Sequence, residues 1–239
     1  MRDINKGAAR RTSGEQLPLA FAHQPASGRE DLLVSERLAA AVAIIDSWPE
    51  WPSPVVILTG PQGSGKSHLA EVWRSESGAS DILPLSGSNA SVKAGEGPVL
   101  FEDADRAGFD EVELFHVINS VRQHGTSLLM TSRSWPLSWN VALPDLRSRL
   151  KAATLVEIGE PDEALLSQVI FKLFSDRQLS VDDRIIATIV SRMERSLAAA
   201  QEVVERIDRL ALARRARITR ALALEVLAEM NPVDDSRGE

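Results

Sequence analysis

Short apolar runs alternate with amphipathic stretches through the first two thirds of the chain, and in the last third only the amphipathic stretches continue. Val55-Val56-Ile57-Leu58-Thr59 is continuous and β-branched, the pattern of a strand buried on both faces. Pro98-Val99-Leu100-Phe101-Glu102-Asp103 and Ser127-Leu128-Leu129-Met130-Thr131 repeat it, Thr154-Leu155-Val156-Glu157-Ile158 is the last, and Ile82-Leu83-Pro84-Leu85 is a weaker candidate. Between them the spacing predicts helices over Ser35 to Trp48, with Leu38, Val42 and Ile45 on one face; over Lys66 to Ser75, with Leu69, Val72 and Trp73 inward; and over Val112 to Gln123. Pro49, Pro52 and Pro54 end the first. Strands that alternate with helices imply a parallel sheet covered on both faces. From Asp162 onward four helical stretches, about 162–175, 182–193, 196–215 and 219–229, follow without a strand.

This gives five segments: a polar, basic tail over 1–15 read as disordered; an apolar island and linker over 16–30; an α/β nucleotide-binding domain over 31–160; an all-helical domain over 161–230; and a frayed polar end over 231–239. No internal repeat is visible.

One loop carries chemistry by itself. Gly60-Pro61-Gln62-Gly63-Ser64-Gly65-Lys66-Ser67 fits the phosphate-binding pattern of two glycines, lysine and serine, between a buried strand and a helix. Glycines at 60, 63 and 65 let backbone N–H groups, those of Pro61's neighbours and Ser64 among them, turn toward phosphates. Lys66 supplies a point charge, Ser67 a hydroxyl for Mg²⁺, and the following helix its N-terminal dipole, with His68 in the first turn. Such a site needs acids on a neighbouring strand. Only Glu102 and Asp103 end a strand in that way: Glu102 for the metal, Asp103 as the candidate base, with Asp105 expected to do no more than cap the next turn.

Composition narrows the picture. With 27 Lys and Arg against 34 Asp and Glu the net charge is −7, which disfavours binding through unspecific phosphate contacts with DNA. There is no cysteine, so no disulfide or thiolate metal site, and His23, His68, His116 and His124 have no metal-ligand spacing. No run of eighteen apolar residues and no secretory leader are present, and a cytoplasmic location associated with the nucleoid or replisome is the expectation.

Two further segments turn this general reading into a resemblance. Leu143-Pro144-Asp145-Leu146-Arg147-Ser148-Arg149-Leu150 resembles the box that carries the arginine finger in the DnaA/Hda branch of AAA+ ATPases, and Leu129-Met130-Thr131-Ser132-Arg133 resembles that branch's sensor 1 strand end. The resemblance spans about residues 16–230. It implies an AAA+ P-loop fold, with a five-stranded parallel sheet flanked by helices and a small helical lid. It also implies Arg149 as a finger acting in trans, with Arg147 the weaker candidate, and Thr131 as the sensor.

The chain ends after the lid, where DnaA continues into a helix-turn-helix domain, and Gln16-Leu17-Pro18-Leu19-Ala20-Phe21 resembles the sliding-clamp-binding peptide of the Hda side of the branch. Gln16 would hydrogen-bond, while Leu17, Leu19 and Phe21 would anchor. The implied partners are DnaA and the DNA-loaded β clamp of DNA polymerase III. The implied ligand is ADP or ATP with Mg²⁺, ADP being favoured, and homo-oligomers stay open. Two departures weaken the expectation of intrinsic ATPase activity. The first acid of the strand end is Glu102 where the branch commonly has aspartate, and Ala198 stands in the slot of the lid arginine, with Arg195, one turn earlier, either a substitute or a solvated side chain. The competing expectation is an autonomous ATPase of helicase-loader or clamp-loader type.

Overall fold

A computed structural model describes residues 36–230. The tail, the Gln16–Phe21 segment and residues 231–239 lie outside the described residues.

The order is α1 (Glu36–Asp46), β1 (Val55–Thr59), α2 (Lys66–Ser77), β2 (Ser80–Asp81), α3 (Ala90–Glu96), β3 (Val99–Phe101), α4 (Glu111–His124), β4 (Leu128–Ser132), a 3₁₀ turn (Pro136–Ser138), α5 (Pro144–Lys151), β5 (Thr154–Glu157), α6 (Glu163–Asp176), α7 (Asp183–Val190), α8 (Leu197–Arg214) and α9 (Arg220–Met230). All strand pairs are parallel and the sheet order is β2-β3-β4-β1-β5. The central strands β1 and β4 are wholly buried, as their unbroken apolar runs require.

Alternate residues of each strand enter opposite cores. Val55 and Ile57 pack with Phe101, Met130 and the inner faces of α3, α4 and α5. Val56 and Leu58 pack with Leu100, Leu129, α1 and α2, whose Trp73 stacks on Trp51 at 5.2 Å. A third core, built from α6 to α9 around Phe174, Ile189, Val203 and Ile207, belongs to the helical end of the chain. Its helices start at residues whose side chains accept an N–H of the first turn: Asp162 from Leu165, Asp182 from Arg184, Ser196 from Ala199 and Thr219 from Leu222.

The weak strand expected at Ile82–Leu85 is corrected. The ladder takes Ser80 and Asp81, and Ile82 is the last residue to follow it, its N–H donating to Leu100 O at 2.9 Å. Pro84 has no N–H to offer, and Leu83 and Leu85 are exposed. The periodicity also missed α3. Its buried positions are Ala90 and Ala94, too small to register as an apolar stripe, and Gly95 brings it close to α4, where a Cβ would lie 3.0 Å from Ser120 Oγ.

Candidate phosphate-loop site

The predicted loop lies between β1 and α2 at the C-terminal edge of the central strands. Gly60, Gly63 and Gly65 have φ of 156°, 72° and 103°, a backbone that only glycine adopts without strain. Gly60 also has no room for a side chain, since a Cβ would lie 2.2 Å from Ile158 O. Lys66 is buried, and its ammonium donates to Gly60 O at 2.7 Å and to Pro61 O at 2.6 Å, with the buried Ser64 hydroxyl at 3.4 Å. Burial pushes the Lys66 pKa down; Asp103 and Asp105 pull it back, while Arg133 adds repulsion. An ammonium held this way gains from an anion. His68 is half-buried in the first turn of α2.

Ser67 and Glu102 face each other, the hydroxyl donating to the carboxylate. Burial raises the Glu102 carboxyl above its ordinary value; the Ser67 bond opposes this, and the charges of Asp103 and Asp81 reinforce it. An exposed carboxylate repelled by other acids, next to a hydroxyl, suits Mg²⁺, which takes one or two protein oxygens and completes its shell with phosphates and water. Among the described residues no group of three His, Cys, Asp or Glu side chains could hold a metal by itself. The residues therefore fit a nucleotide phosphate with Mg²⁺, with Ser67 and Glu102 as the protein ligands.

The next residues turn sharply. Asp103 has φ 48°, its side chain is exposed, and its N–H donates to the hydroxyl of buried Thr131 at 2.9 Å. Thr131, expected as the sensor, thus holds the acidic strand end in place. Asp105 does more than cap a turn. Its carboxylate accepts from Arg133 N at 3.1 Å, Ser134 N at 3.0 Å and Ser134 Oγ at 2.9 Å, fixing the exit of β4. Burial would raise its carboxyl, but these bonds outweigh burial and hold the pKa below the ordinary value. The stability from a depressed carboxyl is present above the unfolded pKa of about 3.9 and is lost as pH falls through the lower folded value. Asp105→Asn is therefore expected to cost about 1–3 kcal/mol at pH 7. Urea melts should show that deficit closing as the pH drops below about 4, where wild type is protonated too.

Arg133 was given no role by motif spacing beyond the strand end it completes. It follows Ser132, which pairs with Thr59, so its backbone lies beside Gly60. Its guanidinium is near enough to depress Lys66 and makes no hydrogen bond to a described residue. The available signal was register: a cation one residue past a strand that pairs with β1 must lie at the loop.

The helical domain touches the loop directly. Leu197 N, at the start of α8, donates to Gly63 O at 2.8 Å, and a Cβ on Gly63 would lie 2.3 Å from Ser196 Cβ. Ala198 is exposed on the first turn of α8. Arg195, the residue before the Ser196 cap of α8, lies in an exposed ion pair with Glu163 at 2.6 Å.

Arg149 lies away from this loop, in the last turn of α5. Leu146 and Leu150 bury the inner face of that helix. Arg147 bends back to the Val141 carbonyl, whereas half-buried Arg149 makes no hydrogen bond or ion pair with a described residue; neither Asp145 nor Glu157 takes it.

A parallel sheet in the order β2-β3-β4-β1-β5, a phosphate loop after β1 and a helical domain seated on that loop make this an AAA+ fold. Domain III of the DnaA replication initiator of Thermotoga maritima superposes with a TM-score of 0.72 at 14% identity, covering 86% of this chain and 97% of that one. A DnaA structure bound to AMPPCP and single-stranded DNA gives 0.64 at 17% identity, covering 80% of this chain and 68% of the other. The RuvB Holliday junction branch migration motor of Thermotoga maritima gives 0.67 at 16%, over 89% and 74%.

In sequence, the chain is 22% identical to an uncharacterized protein of Haemophilus influenzae, covering 89% of this chain and 98% of that protein. It is also 22% identical to the chromosomal replication initiator protein DnaA of Cutibacterium acnes, over 81% of this chain but only 43% of DnaA. No family model matches. Among the described residues no helix is long and apolar enough to cross a membrane.

Proposed function

We propose that this chain is a nucleotide-holding regulator of replication initiation, with the role of Hda in the DnaA/Hda branch. It carries ADP, or ATP, with Mg²⁺ on the Gly60–Ser67 loop. It docks on the DNA-loaded sliding clamp through Gln16, Leu17, Leu19 and Phe21, and presents Arg149 to ATP held by DnaA. Water attacks the γ-phosphorus there, the β–γ bond breaks, and the guanidinium stabilises the charge that develops on the transferred oxygens. DnaA is left in its ADP form, and initiation is restrained. The setting is the cytoplasm, at the replisome.

The observation that carries this reading is the contrast among the cations. Lys66, Arg147 and Arg195 are each tied to their own chain, while Arg149 makes no hydrogen bond or ion pair with a described residue, on a helix whose inner face is locked into the core. The DnaA-like fold and the weak sequence match to DnaA support the choice of partner. Glu102 and Ala198 support a site that holds nucleotide more readily than it turns it over.

Clamp dependence gives a test of its own. Gln16→Ala is expected to lower stimulation at least tenfold when the clamp is loaded on DNA, with nucleotide affinity unchanged. Equal activity of this variant and wild type would reject the clamp assignment. One observation favours the autonomous ATPase: Arg133 beside Lys66 offers a second cation at the loop in place of the absent lid arginine. Steady ATP turnover by the isolated protein, abolished by Arg133→Ala, would establish that alternative.

A further inference from the structure

Three carboxylates at the start of α4 each serve a different helix. Asp110 caps α4 itself, accepting from Glu113 N at 2.8 Å, and Glu113 Oε1 accepts from Ser91 N at 2.9 Å in the first turn of α3. Glu111 reaches across to α5: its two carboxylate oxygens take Ala142 N at 2.8 Å and Leu143 N at 2.6 Å, the amides that lead into that helix. The α5 helix needs such help. It has eight residues, short for a helix that must hold its own position, and its N-cap, Leu143, offers no side-chain acceptor. Pro144 at the first position removes one orphan N–H, and the negative charge of Glu111 suits the helix N-terminus.

Leu146 and Leu150 set the rotation of α5, hence the direction in which Arg149 leaves it. Its start is packed by buried Val141 and partly buried Leu143, and Glu111 adds a bond to each of two consecutive amides there, from a long helix that is itself capped. Residues 133–143 are thereby pinned at both ends by the segment that follows the acidic strand end, Asp105 at Arg133 and Ser134, Glu111 at Ala142 and Leu143.

We propose that Glu111 is the positioning residue for Arg149: its bidentate hold on Ala142 and Leu143 places α5 so that the guanidinium meets the partner's γ-phosphate. This rests on the reading of Arg149 as a finger acting in trans. A misplacement of about 1 Å in such a group can cost a hundredfold in rate.

The test compares wild type, Glu111→Ala, Glu111→Gln and Arg149→Ala in two measurements. In the first, each is titrated into DnaA preloaded with ATP, with clamp-loaded DNA. Glu111→Ala is expected to lower the plateau rate at least tenfold while the half-saturating concentration and its own ADP affinity stay within twofold of wild type. Glu111→Gln, which keeps one acceptor oxygen and guards against a folding defect, falls between. In the second, hydrogen exchange over 140–151 is expected to be at least tenfold faster in Glu111→Ala, with 55–59 unchanged. A wild-type plateau in both Glu111 variants, with Arg149→Ala inactive, overturns the proposal, as does unchanged exchange in α5. Full stimulation by Arg149→Ala fails the finger reading itself and leaves Glu111 only a helix cap.

Discussion

Arg149→Ala is expected to reduce the stimulated hydrolysis of ATP on DnaA by about 10³-fold or more, the range in which an arginine finger acts. The side chain is half-buried, makes no hydrogen bond or ion pair with a described residue, and sits on a helix held by Leu146 and Leu150, so its removal leaves fold and stability nearly intact. Binding of the variant's own nucleotide should equal that of wild type, because the finger and the Gly60–Ser67 loop share no hydrogen bond. Single-turnover hydrolysis of labelled ATP preloaded on DnaA measures the first property, and equilibrium binding of a fluorescent ADP the second. Arg147→Ala should lose far less, since Arg147 is already committed to the Val141 carbonyl.

Lys66→Ala carries the other large effect. Its ammonium is the buried charge of the loop, and it also satisfies the carbonyls of Gly60 and Pro61. Loss of one desolvated, charge-assisted contact to phosphate, together with a slackened loop, is expected to weaken ADP binding about a hundredfold, or about 2.7 kcal/mol. Titration calorimetry reads this directly. Because Leu197 donates to Gly63, a nucleotide that orders the loop also steadies the helical domain. Bound ADP should therefore raise the melting temperature of wild type and not that of Lys66→Ala. An unchanged affinity in this variant would contradict the role of Lys66 as the phosphate contact.

Much of this architecture was legible before the structure, for a physical reason. A strand buried on both faces has to be continuously apolar, so β1, β3 and β4 announced themselves; β5, a partly buried edge strand, showed through Leu155 and Val156, and helices with Leu, Ile and Val stripes did the same. The phosphate loop was legible because its glycines are demanded by backbone geometry. Ile82–Leu85 misled because an edge strand of two residues needs no apolar run, while the exposed leucines beyond it imitate one. The α3 helix was hidden because it packs through alanine.

The parts of the site that escaped sequence reading are those made by side chains that reach backbone far away in sequence. Asp105 holds Arg133 and Ser134, and Glu111 holds Ala142 and Leu143, across 28 to 32 positions. No periodicity records such a bond. Arg195 and Glu163, paired across 32 positions, are a further case.

The central claim is that the hydrolysis that matters takes place in a partner's site. Its most direct test is single-turnover hydrolysis of ATP preloaded on DnaA, with clamp-loaded DNA, with and without this protein. The account predicts acceleration that needs both the loaded clamp and Arg149, while the protein alone turns over little ATP. An unchanged rate on adding the wild-type protein would contradict it.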